Sequence, residues 1–599
     1  MFDLAMLQGL SNVAWALATM NVEAEETFDA IVREVELRVH DTTPQQMANT
    51  LWALAKSGRG GQKATDEALF RAVAEKAVQA DFKGWTAQNV ANTFWAFAKV
   101  TSNANLSGRR HAGSARTCET DFFKCVARYV KNGIAREEAS LGRVPALGSH
   151  SLSKFAWSFA TLLALPWGVS HEGDHSNAIM RGSESESEPE RIFTDILEQI
   201  CDAAPASLKE DTRDAQYSHL SFANFTWAFA TANLTSPAQE KTFRYIADAV
   251  AGCEMDDLTA TTVANLTWAF ASDRTVGGRP KAYADPVFHA VADGFTSRAR
   301  ELTPQSAAKV LWSFDEQRIS SPALFDAVAA DIAGRIGRDK KITVDHLPAI
   351  ITPYAKSGVR APALYDAVAR CACTTVDAAG GHREIAAGSE GEIAPRTLAS
   401  LAWSFAMAGV ASKPLFDMVA ATVPAATTFN DIEKAQLHQV ALFIEYEAPH
   451  LPQPLRTAED RALCKASFTR RSSAGSYSRN QDKVSDVLRK SLDWAHESEY
   501  ITDEGLSLDM ASPAERVAVE FDGPSHFAAT AEGAYVRNGR TLFKQRILEA
   551  TGWELFSIPW YRYRDIPYSK RADFLRSGLE RTRARRLAEA PRRAVREAG

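Results

Sequence analysis

Along the first 446 residues apolar positions recur at the three-and-four spacing of amphipathic helices, and one short string keeps returning: polar, two residues, Trp, Ala or Ser, Phe or Leu, Ala. It centres on Trp15, Trp52, Trp95, Trp157, Trp227, Trp268, Trp312 and Trp403, so most of the 13 tryptophans occupy one slot. A degenerate copy, Ile351 to Gly358, carries Tyr354 in that slot, and a weak copy surrounds Phe443. The spacing points to a unit of about forty residues. Nine positions before the aromatic, Thr43, Thr86, Ser218, Thr259 and Thr303 recur, with Pro44 and Pro304 directly after two of them. A hydroxyl followed by proline is a helix start. A second apolar-periodic segment follows each Trp helix, as in Leu69-Phe70-Arg71-Ala72-Val73 and Leu324-Phe325-Asp326-Ala327-Val328. One helical hairpin cannot bury two apolar stripes, whereas stacked hairpins can, so about ten units over residues 1–446 predict an α-solenoid.

Repetition also sorts the positions. A residue identical in nearly every copy cannot tell one ligand unit from the next, so the Trp slot is expected to pack hairpins together. Three positions before it, Asn12, Asn49, Asn92, Lys154, Asn224, Asn265, Lys309 and Ser400 are mostly amides and read as struts between repeats. Six positions before it the residue varies through Gln46, Asn89, Ser151, Ser221, Thr262, Ser306 and Thr397. Four after it the series is Thr19, Lys56, Lys99, Thr161, Ser272 and Glu316. These polar, variable places, Gln46, Lys56, Asn89 and Lys99 among them, are the expected contacts to nucleic-acid bases, with a solvated helix face as the alternative. Insertions at about 166–190, an acidic, serine-rich stretch containing Ser183-Glu184-Ser185-Glu186-Ser187-Glu188, and at 378–392, rich in Gly, Ala and Glu, are unsuited to burying apolar surface and are expected to be disordered.

After Pro449-His450-Leu451-Pro452 the periodicity changes, and 447–480 reads as a linker. A second domain, 481–576, is expected in the order α-β-β-α-β. A helix near Asp482–Ser498 leads to strands at Leu506–Met510 and Arg516–Asp522, a basic helix Arg540–Ala550, and a strand after Gly552. From Trp560 to Gly599 twelve Arg or Lys face five Asp or Glu, and 577–599 reads as a basic tail. Trp560, Tyr561 and Tyr563 lie beside these cations and are suited to base stacking.

The run Val519-Glu520-Phe521-Asp522-Gly523-Pro524-Ser525-His526-Phe527, the helix through Lys544 and Arg546, and Gly552-Trp553 leading to Ile558-Pro559-Trp560 together resemble the RAP domain, with a core at about 507–568. The upstream units, such as Ala48-Asn49-Thr50-Leu51-Trp52-Ala53-Leu54-Ala55-Lys56, resemble the octotricopeptide repeats and their relatives that accompany it. The resemblance implies an organellar protein of mitochondria or plastids. It would bind single-stranded messenger or ribosomal RNA and act in its processing, stability or translation, within ribonucleoprotein assemblies. It also implies a restriction-endonuclease-like fold for the C-terminal domain. In such folds hairpin carboxylates hold a divalent metal, which maps Asp509, Glu520 and Asp522 onto a Mg²⁺ or Mn²⁺ site, with Lys544 or His526 in a general role. Asp522 stands where many such nucleases have a catalytic lysine. The alternative is a phosphate clamp, in which Asp509 and Glu520 pair with Lys544 or Arg546, and His526, Lys544, Arg546, Trp560, Tyr561, Arg562 and Arg564 contact RNA. Binding is preferred to cleavage, and a protein-binding scaffold is a third reading.

Composition adds limits. A net charge of −6 supplies no whole-molecule attraction to nucleic acid, so RNA affinity must be local. The seven cysteines show neither a disulfide framework nor zinc-finger spacing, no small-molecule cofactor is indicated, and no apolar run is long enough for a membrane span. A repeat is already under way at Ser11–Ala18, the expectation for an N-terminally incomplete chain, and no targeting peptide is visible.

Overall fold

The computed structural model describes residues 2–60, 63–106, 113–139, 147–165, 187–210, 215–273, 281–378, 393–472 and 479–597. Both expected disordered insertions lie outside these residues, except at their margins, where helix Glu188–Glu210 begins and helix Pro362–Ala378 ends. The chain forms two compact units, Met1–Ala290 and Val291–Gly599, so the last repeats belong with the C-terminal domain.

In the first unit the Trp helices, Phe2–Thr19, Pro44–Lys56, Ala87–Leu106, Ser149–Leu163, Ala215–Thr231 and Ala260–Ser272, pack side by side in one layer. Their partners, such as Glu25–Leu37 and Ala64–Ala80, form the other. The expected start signals operate. Thr43 accepts from Gln46 N while the Gln46 side chain returns to Thr43 N, a capping box, and Thr86, Thr259 and Thr303 accept from the third residue of their helices, whereas Ser218, also expected to open a helix, lies inside Ala215–Thr231. Between the layers Phe28, Phe94, Phe97, Phe122, Phe123, Phe155, Phe159 and Phe193 are fully buried. Each contributes on the order of 2 kcal/mol of transfer free energy.

The second unit continues the pattern with helices Pro304–Gln317, Leu347–Ser357, Pro395–Ala408 and Asp431–Tyr446 in one row. The stretch expected as a linker holds a further helix, Ala458–Ser472, packed on Asp431–Tyr446 with Cys464 and Phe468 buried. Its sequence is polar on every other side, which is why its periodicity is weak.

The C-terminal domain is a mixed sheet in the order β1-β2-β3-β6, from β1 (Glu497–Ile501), β2 (Ser507–Ser512), β3 (Val517–Asp522) and β6 (Glu554–Pro559). The first three are antiparallel, and β6 runs parallel to β3, Glu520 facing Ser557. β1 is absent from the expected order because it is an edge strand of mostly exposed polar residues. The expected first helix is correspondingly shorter, Arg479–Lys490. Between β3 and the Lys544 helix (Gly539–Ala550) a short hairpin, β4 (Phe527–Ala529) and β5 (Tyr535–Arg537), replaces the expected flexible stretch. Val517, Val519 and Phe521 of β3 join Trp494, Met510, Ile558, Leu575 and Leu579 in the core. The expected basic tail is thus the continuation of one helix, Arg571–Glu597, anchored by Leu575, Leu579 and Thr582 at helical spacing.

This domain is seated on the ends of the row of helices. Three successive helices close with left-handed caps, Arg318 (φ 61°), Gly358 (φ 76°) and Gly409 (φ 70°). Ala529 of β4 exchanges backbone hydrogen bonds with Arg318 O (2.8 Å) and Ser320 N (2.7 Å). Leu542 and Gly539 lie against Gly358, and Arg546 against Gly409. A Cβ on Gly539 would fall 1.8 Å from Ala355 O, so only glycine allows this approach. Glu504 joins the fourth helix through His438 Nε2 (2.7 Å to its carbonyl) and the Tyr446 hydroxyl (3.3 Å).

Candidate nucleic-acid interface

The tryptophans of the first unit form a continuous ladder. Trp15, Trp52, Trp95, Trp157, Trp227 and Trp268 lie ring to ring with centroids 6.4, 6.2, 5.8, 5.7 and 6.3 Å apart and planes tilted by 28–36°. The slot packs hairpin on hairpin, as its sameness predicts. The ladder is nonetheless half-exposed, with Trp15 48% accessible. Its residues share a helix face with the amide row three positions earlier. There Lys154 Nζ donates to Asn92 Oδ1 at 2.7 Å, a strut between neighbouring repeats, and burial lowers the Lys154 ammonium to about 8.

The position six before Trp is different from what its variability implied. Except for Ser221, the seventh residue of helix Ala215–Thr231, it is the third residue of the helix, facing the N-cap. Gln46, Ser151, Ser221, Thr262, Ser306 and Thr397 are buried, engaged with caps and neighbours such as Thr43, Thr259 and Thr303. Gln46, Thr262 and Ser306 serve a cap, Thr397 bonds Asp345 instead, and Gln46 is not available to a base. Asn89 is half-buried, its amide N–H bonded to Thr86 Oγ1. Of the positions four after Trp, Lys56 is exposed and Lys99 half-exposed on the ladder face, whereas Thr161 is buried and bonds back to Trp157 O.

In the C-terminal domain, β3 aims Glu520 and Asp522 at the Lys544 helix, opposite the core-facing Val519 and Phe521. Glu520 is paired with Lys544 Nζ and accepts from Asp509 N at 3.2 Å, while Asp509 accepts from Phe521 N at 2.7 Å. Asp522 accepts from the Ser557 hydroxyl and lies 3.5 Å from His526 Nδ1 and 3.7 Å from Arg537. Burial raises the Glu520 carboxyl, with the Lys544 ammonium opposing it. For Lys544 burial works against the charge, but Glu520 and Asp509 hold its pKa above the ordinary lysine value. Burial lowers the His526 imidazole, Asp522 acting the other way. Every carboxylate oxygen pair expected to hold a metal is thus engaged by a cation, hydroxyl or amide. Among the described residues no three acidic, His or Cys side chains converge as metal ligands. Asp509, Glu520 and Asp522, as arranged, do not fit a Mg²⁺ or Mn²⁺ site.

Arg546, expected at RNA, is used inside the protein. Its Nε donates to Glu447 (3.0 and 3.2 Å) and its Nη2 to the last-turn carbonyls of Ala406 (3.1 Å) and Met407 (3.2 Å), where a helix end favours a cation. The aromatic expectation gains a member: Tyr535 of β5 stacks on Tyr561 (4.7 Å, 24°) and meets Trp560 edge-on (5.6 Å). Exposed Arg562 and Arg564 flank this cluster, Arg564 lying 5.2 Å over Trp560, while Tyr563 is buried in the core. Tyr535 was not legible because it opens a strand of three residues, too short to show alternation.

Residues 519–577 match the model of the RAP domain. The chain carries a RAP domain. It is also 28% identical over 184 residues to a RAP domain-containing protein, chloroplastic, from Oryza sativa subsp. japonica, covering 28% of this chain. That match spans only 27% of the rice protein's length. The matched segment of the RAP domain holds most of β3, the Lys544 helix, β6 and the first turns of the C-terminal helix, hence both the Glu520–Lys544 pair and the Tyr535–Trp560–Tyr561 cluster. Asp509 and the buried Leu579 and Thr582 of the C-terminal helix lie just outside it. No helix among the described residues is long and apolar enough to cross a membrane.

Proposed function

We propose that the protein binds single-stranded organellar RNA and acts in the processing, stability or translation of particular messenger or ribosomal transcripts. In this reading the RAP domain is a clamp. The observation that carries it is the half-exposed aromatic cluster Tyr535–Trp560–Tyr561 flanked by exposed Arg562 and Arg564, on a chain whose net charge is −6. Stacking faces beside cations are what an unpaired strand offers to bind, bases to the rings and phosphates to the guanidinium groups. RAP domains are commonly linked to RNA binding, and the chloroplastic relative supports an organellar site of action. Lys56, Lys99 and the half-exposed ladder face supply a second surface in the solenoid.

Crosslinking in cells followed by RNA sequencing, with affinity measured on the recovered segment against a shuffled one, tests this. Expected are enrichment of organellar transcripts, clear preference for the native segment, and a steep fall of affinity with salt, a log–log slope of about 0.7 per phosphate contacted. The RNA should stay intact in Mg²⁺ or Mn²⁺. Recovery of proteins without RNA, or equal binding of every RNA at moderate salt, refutes the reading.

A further inference from the structure

A cleft of about 540 Å³ opens along the free edge of β6, between the Lys544 helix and the C-terminal helix Arg571–Glu597. That is the size of a small-ligand site, with room for about one nucleotide and none for a duplex. Its position is fixed by Gly578, whose absent Cβ lets the C-terminal helix lie directly on the Phe556 ring.

The lining divides by chemistry. Leu548, Leu555 and Phe556 make an apolar wall. The buried carboxylates of Glu520 and Asp522 make the floor, already satisfied by Lys544 and by Ser557 with Arg537 nearby. Arg581 and Arg585 stand exposed at the rim. Neither is in an ion pair among the described residues; Arg585 donates to Leu555 O and the Thr582 hydroxyl, both at 3.3 Å. Four cationic side chains, Arg537, Lys544, Arg581 and Arg585, therefore face two carboxylates, a surplus of two positive charges.

A surplus of two selects among the anions of an RNA strand. An internal phosphodiester carries one charge, whereas a terminal phosphomonoester carries about −1.5 to −2 at pH 7 and offers three acceptor oxygens. We infer that this cleft takes the terminal, phosphomonoester-bearing nucleotide of an RNA, its phosphate held by Arg581 and Arg585 at the rim and its base laid on Leu548, Leu555 and Phe556. The inference rests on the RNA-binding reading and adds to it a preference for a phosphorylated strand end. The cluster Tyr535–Trp560–Tyr561 is then a separate contact for internal residues of the strand.

The test uses the full chain and two kinds of probe. One is an internally labelled RNA of a single sequence bearing a 5′-phosphate, a 3′-phosphate or neither, titrated at about 150 mM salt. The other is a set of free nucleoside monophosphates, compared with their nucleosides, read as a shift in melting temperature. One phosphorylated end is expected to bind about tenfold tighter than the hydroxyl-ended RNA, the gain of one or two charge-assisted hydrogen bonds. The Arg581→Ala, Arg585→Ala double variant should lose that gain while still binding the hydroxyl-ended RNA and melting like the wild type. The 5′ and 3′ arms decide which end is held. Equal binding of all three RNAs, or a gain that survives the double variant, overturns the inference and leaves the RNA-binding reading intact. If no RNA binds, that reading fails, and the mononucleotides still decide the cleft. Stabilisation of the wild type alone supports a phosphomonoester site, and no stabilisation removes it.

Discussion

Replacing Arg546 by Ala separates two roles that the sequence offers this residue, a contact to RNA and an internal fastener. The side chain is 32% accessible and its partner Glu447 19%, and the change deletes a forked ion pair and two hydrogen bonds to helix-end carbonyls. Charge-assisted bonds contribute about 1.5–3 kcal/mol each when well covered. With a third of the guanidinium in water the loss should be nearer 2–4 kcal/mol in all, much of it from leaving Glu447 buried without a counter-charge. For a unit of this size that lowers the melting temperature by roughly 3–6 °C. Amides of the Lys544 helix should exchange with deuterium faster, because its seat on the Tyr354 and Trp403 helices is loosened. The pH dependence has a definite sign. Burial holds the Glu447 carboxyl above its ordinary value and Arg546 opposes this, so the variant raises it further. A raised acid contributes stability that is complete below its unfolded value and lost as pH rises through the folded one, so the destabilisation should be larger at pH 8 than at pH 5. Unchanged melting and exchange with weakened RNA binding would show that Arg546 acts on RNA and that the fastener is unimportant.

Three further outcomes are expected. Trp95→Ala opens both of its ring contacts and should cost roughly 2–4 kcal/mol, with Trp95→Phe costing less; a variant of wild-type melting behaviour but weak RNA binding would make the ladder a binding surface instead of a scaffold. Asp315, 3.6 Å from Lys356, is pushed up by burial to about 6 against the charges of Lys356 and Arg540, so its ionisation in the folded state is penalised by roughly 3 kcal/mol. Wild type should lose stability relative to Asp315→Asn as pH rises from 4 to 7 in denaturant titrations, and parallel curves would contradict the assignment. Gly539→Ala should destabilise strongly by driving a methyl into Ala355 O, while Gly523→Ala, with no neighbour within 4 Å, should not; equal melting of the two variants would mean the helix is not seated as described.

What the sequence shows of this molecule follows from periodicity. The repeat was legible because the Trp helices carry a constant aromatic at constant distance from a hydroxyl cap, and helix starts at Thr43, Thr259 and Thr303 fell where that signal placed them. β3 was legible because Val517, Val519 and Phe521 alternate with residues of another kind. β1 was not, since an edge strand of Glu497, Ser498 and Glu499 has no apolar face to alternate. The candidate site was half-legible for a related reason. Residue types identify partners such as Glu520 and Lys544, but variability alone cannot distinguish a solvent-facing position from a capping one. Gln46 and Ser221 vary like surface residues and are buried. Arg546 shows the same limit for charge, since a cation beside helix-end carbonyls and one beside phosphate look alike in one dimension.

The Lys544 helix is held on several sides. Phe543 and Ile547 are buried, Lys544 and Leu548 line the cleft, and Leu542 and Arg546 rest on the left-handed caps of the solenoid helices. A rigid rod held this way cannot turn for one neighbour without turning for all. Any molecule whose affinity for the cleft depends on how that rod lies must, by thermodynamic reciprocity, change the grip of the domain on the helical row by the same factor. The seat on the caps is therefore a lever through which the helical row of this unit and the chemistry of the cleft register each other's state.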